Sequence, residues 1–419
     1  MDDIPLCNID TKGDGGKNQI LSLFLCILAT FQLSLAMGIA TVFVPVTLLN
    51  NGCSNTEIGL IMSLETIASL LISLCFPFLL RFIGMRMGLI LSTMLRIPAL
   101  LLLGSTSNIY IWTLAIFING VGCFAFLILL QTWIVGIKFK SNKGLMVALY
   151  GTSTSLGLAI GPALLNYGDK LLFLITPYLI KFINNYDLPV NVTAYQFRSQ
   201  FFFILIALIS LLALLPILAG LFLVPSFEFK GRADIWKSIM NAKGPMYAIA
   251  MAGVSFFGVC AFITLYGIKN HLPINEAALL LSLFMMGSLL LETPLTWVSD
   301  FIDRRYVIVI AAFLSMLCAV YLPIVIYVNY QAYILLFLWG GVIGTIYSTA
   351  LTLIGDKYEG DALVAANAGY SIMEATGGTA GILLIGYTMD AFGSDGLPYV
   401  IMLSSIIYFS FALTRYKVV

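Results

Sequence analysis

Apolar residues run through this chain in long blocks, and charged residues stand mainly in the short gaps between them. A helix needs roughly 20 apolar residues to cross the core of a bilayer. The blocks supply twelve such spans, at 20–49, 57–80, 87–104, 109–133, 144–168, 200–224, 244–268, 276–298, 306–328, 332–354, 363–389 and 398–414, numbered 1 to 12 below. A further block, Leu171–Ile183, is interrupted by Pro177 and Lys181 and reaches only about 20 Å as a helix. It reads as an interfacial or packed helix within a long outer loop, 169–199.

The polar positions repeat. At a constant offset of 219, Glu57 matches Glu276, Leu60 Leu279, Ser63 Ser282, Leu64 Leu283, Ser69 Ser288, Phe82 Phe301, Ile83 Ile302 and Arg86 Arg305. A gap-free match that includes polar residues implies a duplicated six-helix unit. Spans 5 and 11 match at offset 220 through Tyr150 with Tyr370, Gly157 with Gly377 and Gly161 with Gly381. The expected organisation is an N-terminal tail 1–19, a first half 20–224, a linker 225–243 and a second half 244–419.

Composition narrows the function. Hydrophobic residues make up 60% of the chain and charged residues 10%, against roughly 25% charged in a soluble domain. With 21 basic and 20 acidic residues there is no general attraction for nucleic acid. Sixteen of the 21 Lys and Arg fall on the side that carries both termini. Four (Lys170, Lys181, Arg198, Lys269) fall on the other, and Arg96 lies within span 3. That bias puts both termini in the cytosol. The N-terminus opens on Asp2, Asp3, Asp10 and Asp14 rather than a basic start, so span 1 is expected to be retained. The seven cysteines stand singly and His271 is the only histidine, so no zinc or other metal site, no cofactor and no histidine-based catalysis is expected. Gly16-Lys17-Asn18 lacks the hydroxyl and first glycine of a nucleotide loop.

The loop after span 8 reads P-L-T-W-V-S-D-F-I-D-R-R, with Asp300, Asp303, Arg304 and Arg305. It resembles the G-x-L-x-D-r-x-G-r-R loop of the major facilitator superfamily, in which acid and arginines tie helix ends together at the cytosolic face. The equivalent first-half loop keeps Gly84 and Arg86 but has Arg81 where the acid belongs. That variant, with Met37-Gly38, Pro45, Ser54, Ile58, Gly59 and Gln131-Thr132-Trp133, is similar to a bacterial branch whose substrates are largely unassigned. Gly157 to Gly161-Pro162 is similar in part to the fifth-helix signature of drug antiporters. The resemblance implies a twelve-helix, all-α membrane fold of two pseudo-symmetric halves in a bacterial inner membrane. It places spans 2, 5, 8 and 11 at a moving seam, where the glycine faces of spans 5 and 11 suit sliding contacts.

Four ionisable residues lie within spans, Glu65, Arg96, Glu292 and Glu374. A charge at bilayer depth costs roughly 2.5 to 3.5 kcal/mol or more, which makes each a functional candidate. By helical rise Glu65 and Arg96 lie about 12 and 13 Å deep, close enough to meet. Glu374 is level with Glu65, so Glu65 and Glu374 are the expected proton-coupling pair, with Arg96 beside them. Glu292, nearer the cytosol, groups with the gate. The resemblance lines the cavity with spans 1, 4, 7 and 10, where Gln32, Thr41, Asn119, Gln131, Thr264, Tyr266, Trp339, Tyr347 and Thr349 are the substrate-cavity candidates. None is ionisable, which fits a neutral or amphipathic solute.

The expected protein is a monomeric secondary active transporter of a small solute, proton-coupled and working by alternating access. The alternative is a transport-silent membrane sensor or assembly factor, against which the short linker counts. A membrane enzyme ranks third, for want of a convergent catalytic cluster. The topology is open to test with Ser141→Cys and Val190→Cys in a cysteine-free background. A membrane-impermeant thiol reagent applied outside should label position 190 and spare 141, and the reverse pattern overturns the assignment.

Overall fold

In lipid each backbone N–H and C=O must find its partner within the protein, so apolar blocks of this length fold as helices. The computed structural model describes residues 15–137, 143–164, 194–224, 235–358 and 360–416. The Leu171–Ile183 block, most of the outer loop, residues 225–234 of the linker and the tail before Gly15 lie outside the described residues. All-α architecture, expected from the sequence, is what the described residues show. The helices are α1 (Gly15–Asn50), α2 (Asn55–Ile83), α3 (Met85–Ser105), α4 (Ile109–Gly136), α5 (Lys143–Ala163), α6 (Ala194–Leu212) and the short α7 (Leu214–Ala219). After a short α8 (Ile235–Asn241) come α9 (Lys243–Lys269), α10 (Ile274–Trp297), α11 (Arg304–Val325), α12 (Asn329–Lys357), α13 (Gly360–Ala391) and α14 (Gly396–Tyr416).

Among the described residues, ten stretches are long and apolar enough to cross a membrane. α5 and α13 are the two long helices outside that set, and both are rich in glycine, serine and threonine. Their glycines admit a neighbouring backbone. A Cβ at Gly157 would lie 2.7 Å from Ser34 Cβ and 2.8 Å from Phe31 O on α1. The equivalent Gly377 packs on the backbone of Ala250 in α9, 219 residues after Phe31, and a Cβ at Gly381 would lie 2.8 Å from Val254 Cα. These faces therefore join α5 to α1 and α13 to α9 inside each half. The expectation that they slide along the seam is corrected: the contacts between halves are α2 with α13, α5 with α10, and α1 with α9.

The duplication seen in the sequence recurs in the hydrogen bonds. Tyr150 Oη donates to Leu127 O at 3.2 Å, and Tyr370 Oη donates to Tyr347 O at 2.8 Å, each across 23 residues. One apolar core runs through the second half and the parts of α1, α2, α3, α4 and α6 nearest the outer end, as the charge bias defines it. The inner part of the first half, around Leu33, Leu89, Phe126, Trp133 and Ile217, forms a separate core. Leu114, Leu215, Phe222, Ile324 and Ile407 are each more than half exposed, an apolar rim suited to lipid.

α10 and α12 cross most closely. A Cβ at Gly287 would run into the carbonyl of Phe337, and one at Gly340 into the carbonyl of Phe284. Gly287→Ala should therefore force the helices apart at a cost of about 1 to 3 kcal/mol, read as a lower melting temperature in detergent. Gly151→Ala and Gly355→Ala, where a Cβ meets nothing within 4 Å, should be neutral or slightly stabilising. Equal melting temperatures for Gly287→Ala and wild type would refute the close crossing.

Candidate functional site

Three helices of the first half bring together Glu65, Asn119 and Arg96. Gly120 and Gly122 of α4 allow it. A Cβ at Gly120 would lie 3.1 Å from Glu65 Cα on α2, and one at Gly122 would lie 2.5 Å from Arg96 Cγ and 2.6 Å from Ser92 O on α3. Arg96 is 2% exposed. Its Nε donates to Asn119 Oδ1 at 3.2 Å, and Asn119 Nδ2 donates to Glu65 Oε1 at 3.4 Å. Arg96 and Glu65 are thus joined through a neutral amide, and Asn119, expected as a cavity residue, is the bridge. Cys123 of α4 and Cys260 of α9 lie within the electrostatic reach of Glu65.

In the second half Glu292 of α10 accepts hydrogen bonds from Ser288 Oγ at 3.2 Å and from Ser348 Oγ on α12. Gly344 makes room for it, since a Cβ there would lie 2.6 Å from Glu292 Oε2. Glu292 was grouped with the gate by its position in the chain, whereas its side chain points to the middle of α12. There Tyr347 meets Tyr370 of α13 edge to face, with ring centroids 5.2 Å apart at 81°. Glu374 and Glu292 are both electrostatic neighbours of these two rings. Tyr347 is 37% exposed, so part of its ring is left free by the packing. Among the described residues no hydrogen bond joins Glu65 to Glu374. Their helices meet instead through Thr66 and Thr379, whose hydroxyls are 2.7 Å apart.

The remaining cavity candidates divide by environment. Gln32 on α1 is half-buried, and its Oε1 has no hydrogen-bond partner among the described residues. Thr41 donates to Met37 O of its own helix at 2.8 Å, and Gln131 is exposed. Thr264, Tyr266 and Thr349 are fully buried, and among the described residues their hydroxyls have no hydrogen-bond partner. Trp339 is a packing residue, donating to Ser315 Oγ at 2.9 Å and standing edge-on to Phe284. An uncharged cavity of about 260 Å³ at the outer end of the first half is lined by Thr47, Asn51, Thr106, Trp112 and Gln200 among others.

At the inner end Arg304, the first residue of α11, bonds Asp356 at the end of α12 and Asp300 at 3.4 Å. Asp303 caps α11, its Oδ1 accepting from Arg305 N at 2.9 Å. All these partners lie in the second half. In the first half Gly84, at φ 73°, ends α2 and starts α3, and Arg86 is exposed on the next turn. At the outer end stands a polar contact that sequence reasoning missed. Asp390 of α13 accepts from Asn55 N (3.0 Å), Asn55 Nδ2 (2.5 Å), Thr56 N (2.8 Å) and Thr56 Oγ1 (2.6 Å) at the start of α2. Asp390 sits at the end of its span among ordinary loop residues, and no local motif marks it.

The sequence matches the family model of the Major Facilitator Superfamily over residues 26–273 and 245–418. The chain is 22% identical over 306 residues to the uncharacterized MFS-type transporter YfkF of Bacillus subtilis, covering 71% of this chain and 70% of that protein. Among solved structures, its fold is similar to a bacterial homologue of the human lysosomal transporter Spinster in an inward-facing, unoccupied conformation, with TM-score 0.71 and 11% identity over 97% of this chain and 99% of that one. The same homologue in an inward-facing, occupied conformation gives TM-score 0.73 at 11% identity over 98% of each chain. A mutant form of the nucleoside transporter NupG gives 0.71 at 11% identity over 95% of this chain and 100% of that one.

The bridge is testable by stability. Asn119→Leu leaves a buried guanidinium without its acceptor and should cost about 1 to 3 kcal/mol, seen as a lower melting temperature. Because the residues act as a unit, Arg96→Met with Asn119→Leu should cost less than the sum of the single changes. Additive losses would show that the bridge carries no energy.

Proposed function

The chain belongs to the major facilitator superfamily, and from that premise we propose that it is a secondary active transporter, moving a small solute by proton-coupled alternating access between its two halves. The family makes it a multi-pass membrane transporter rather than an enzyme. In this reading both termini face the cytosol of a bacterial inner membrane, Asp300, Asp303, Arg304 and Arg305 with Gly84 and Arg86 form the inner gate, and the protein works as a monomer.

The observation that carries proton coupling is the Glu65, Asn119, Arg96 bridge one residue from the seam. A carboxylate linked to a fixed cation through a neutral amide can gain or lose a proton while the cation keeps its hydrogen-bond acceptor, Asn119 Oδ1. Glu374 lies on the facing helix, next to Tyr347 and Tyr370, where a solute entering from the inner side would meet both carboxylate and aromatic surface. That surroundings change the sequence-based view of the cavity: its tyrosines stand beside Glu374 and Glu292, so a solute bearing hydrogen-bond donors or positive charge suits it better than a wholly apolar one. The joined core at the outer end and the separate core at the inner end of the first half support an inward-facing arrangement, the state named for the Spinster homologue structures.

A thermal-shift screen of the purified protein against metabolites and drugs would supply a substrate, after which transport in liposomes tests the coupling. Glu65→Gln and Glu374→Gln should each lose at least about tenfold in transport driven by a pH gradient, roughly 1.4 kcal/mol or more. Both should still exchange substrate across the membrane, because exchange does not require the proton to cycle. Full gradient-driven transport in the double variant would eliminate this coupling site.

A further inference from the structure

We propose that Asp390 is an outer latch, a carboxylate from the second half that completes the cap of α2 in the first half and holds the outer side of the transporter shut.

A helix start leaves N–H groups without intrahelical partners, and for α2 each of the first ones can be accounted for. Ser54 is the N-cap. Its Oγ accepts from Glu57 N at 3.2 Å, and Glu57 Oε2 accepts from Ser54 N at 2.8 Å, a reciprocal capping box. The box leaves the N–H groups of Asn55 and Thr56 open, and these are the two that Asp390 takes, one on each carboxylate oxygen, with the two side chains adding a bond each. Half of the cap is local to α2 and half comes from a residue 335 positions away. The carboxylate also meets the positive end of the α2 dipole.

The backbone below the latch is shaped to let it close. One turn in from each end, a Cβ at Gly386 would lie 2.5 Å from Asn55 O, and one at Gly59 would lie 2.9 Å from Ile382 O. These glycines bring α13 and α2 into direct contact, and Thr66 with Thr379 continues the seam inward. Asp390 itself is at the exposed rim, so water can replace its partners when the ends part. The contact exists only while the outer ends of α2 and α13 touch. It therefore stabilises the outward-closed state alone, which is what an interaction must do to bias a two-state equilibrium.

Charge keeps the latch engaged near neutral pH. Burial pushes the Asp390 carboxyl up, but the bonds from Thr56 and Asn55 outweigh it and hold the carboxyl below the ordinary aspartate value of 3.8. A depressed value in the latched state means the stabilisation is complete above the ordinary range and fades only as pH falls through the depressed value. Among the described residues, Lys269 at the end of α9 is an electrostatic neighbour of Asp390, and Glu57, two residues beyond Asn55 in the chain, is occupied in its own capping box. The force that opens the latch must then come from elsewhere in the cycle, from solute or proton binding in the centre.

The inference rests on the alternating-access reading, and the experiment separates the two. Spin labels at Tyr110 and Tyr330 report the outer ends of α4 and α12, and labels at Met87 and Tyr306 report the inner ends of α3 and α11; all four are exposed. Pulsed electron–electron distance measurements in nanodiscs at neutral pH should show Asp390→Ala lengthening the outer pair and shortening the inner pair. The ratio of outward-open to outward-closed molecules should rise at least about tenfold, roughly 1.4 kcal/mol. Asp390→Asn, which keeps one accepting oxygen, should fall between Asp390→Ala and wild type. Thr56→Val, which removes one surface hydroxyl, should shift the same way by less and serves if Asp390→Ala does not fold. Wild-type distributions in both Asp390→Ala and Thr56→Val overturn the latch. If wild type itself shows two populations, the transport reading survives that result; a single rigid distribution in every variant removes both.

Discussion

Close approach of helix backbones at glycine is the constraint on which this structure depends. Lipid gives helices no hydrophobic reason to associate, so packing and a few polar bonds must hold them. Gly287 and Gly340 seat α10 against α12, Gly157 seats α5 against α1, and Gly377 seats α13 against α9. The same contacts bring the chemistry together. Glu292 reaches Ser348 because Gly344 leaves space, and Arg96 lies under α4 because Gly122 has no side chain. Here packing precedes polarity: without the glycines, the buried ionisable groups would have no partners within reach.

The buried charges are handled differently in the two halves. In the first, Asn119 stands between the cation and the carboxylate and hydrogen-bonds to both, so each keeps a polar partner when the other changes state. In the second, Glu292 is held by two hydroxyls and Glu374 stands near a pair of tyrosine rings, and among the described residues no cation forms an ion pair with either. The duplicated backbone is thus decorated asymmetrically, with matched tyrosine bonds across 23 residues as the common frame.

The two ends of the bundle also differ. At the inner end the charged contacts of Arg304, Asp300 and Asp356 stay within one half. At the outer end Asp390 spans both. A bond within a half moves with that half, so a gating role for the inner cluster requires contacts to the other half that form in another state, whereas the Asp390 bonds already join the halves in the state described here.

Much of this was legible in the sequence. The long helices and the duplication follow from apolar run length and from a constant offset between matching residues, properties written along the chain itself. The four intramembrane ionisable residues were also found that way, because a charge inside an apolar run stands out at any position. Their partners were not. Asn119 reaches Glu65 across 54 residues, Glu292 reaches Ser348 across 56, and Asp390 reaches Asn55 across 335. Which face of each helix turns inward, which glycine lets which neighbour approach, and hence which side chains touch, are decided by packing among all the helices at once. The sequence by itself determined an all-helical membrane transporter with charges to accommodate; only the tertiary structure decided that one is bridged by an amide, one held by serines, and one used to cap a helix of the other half.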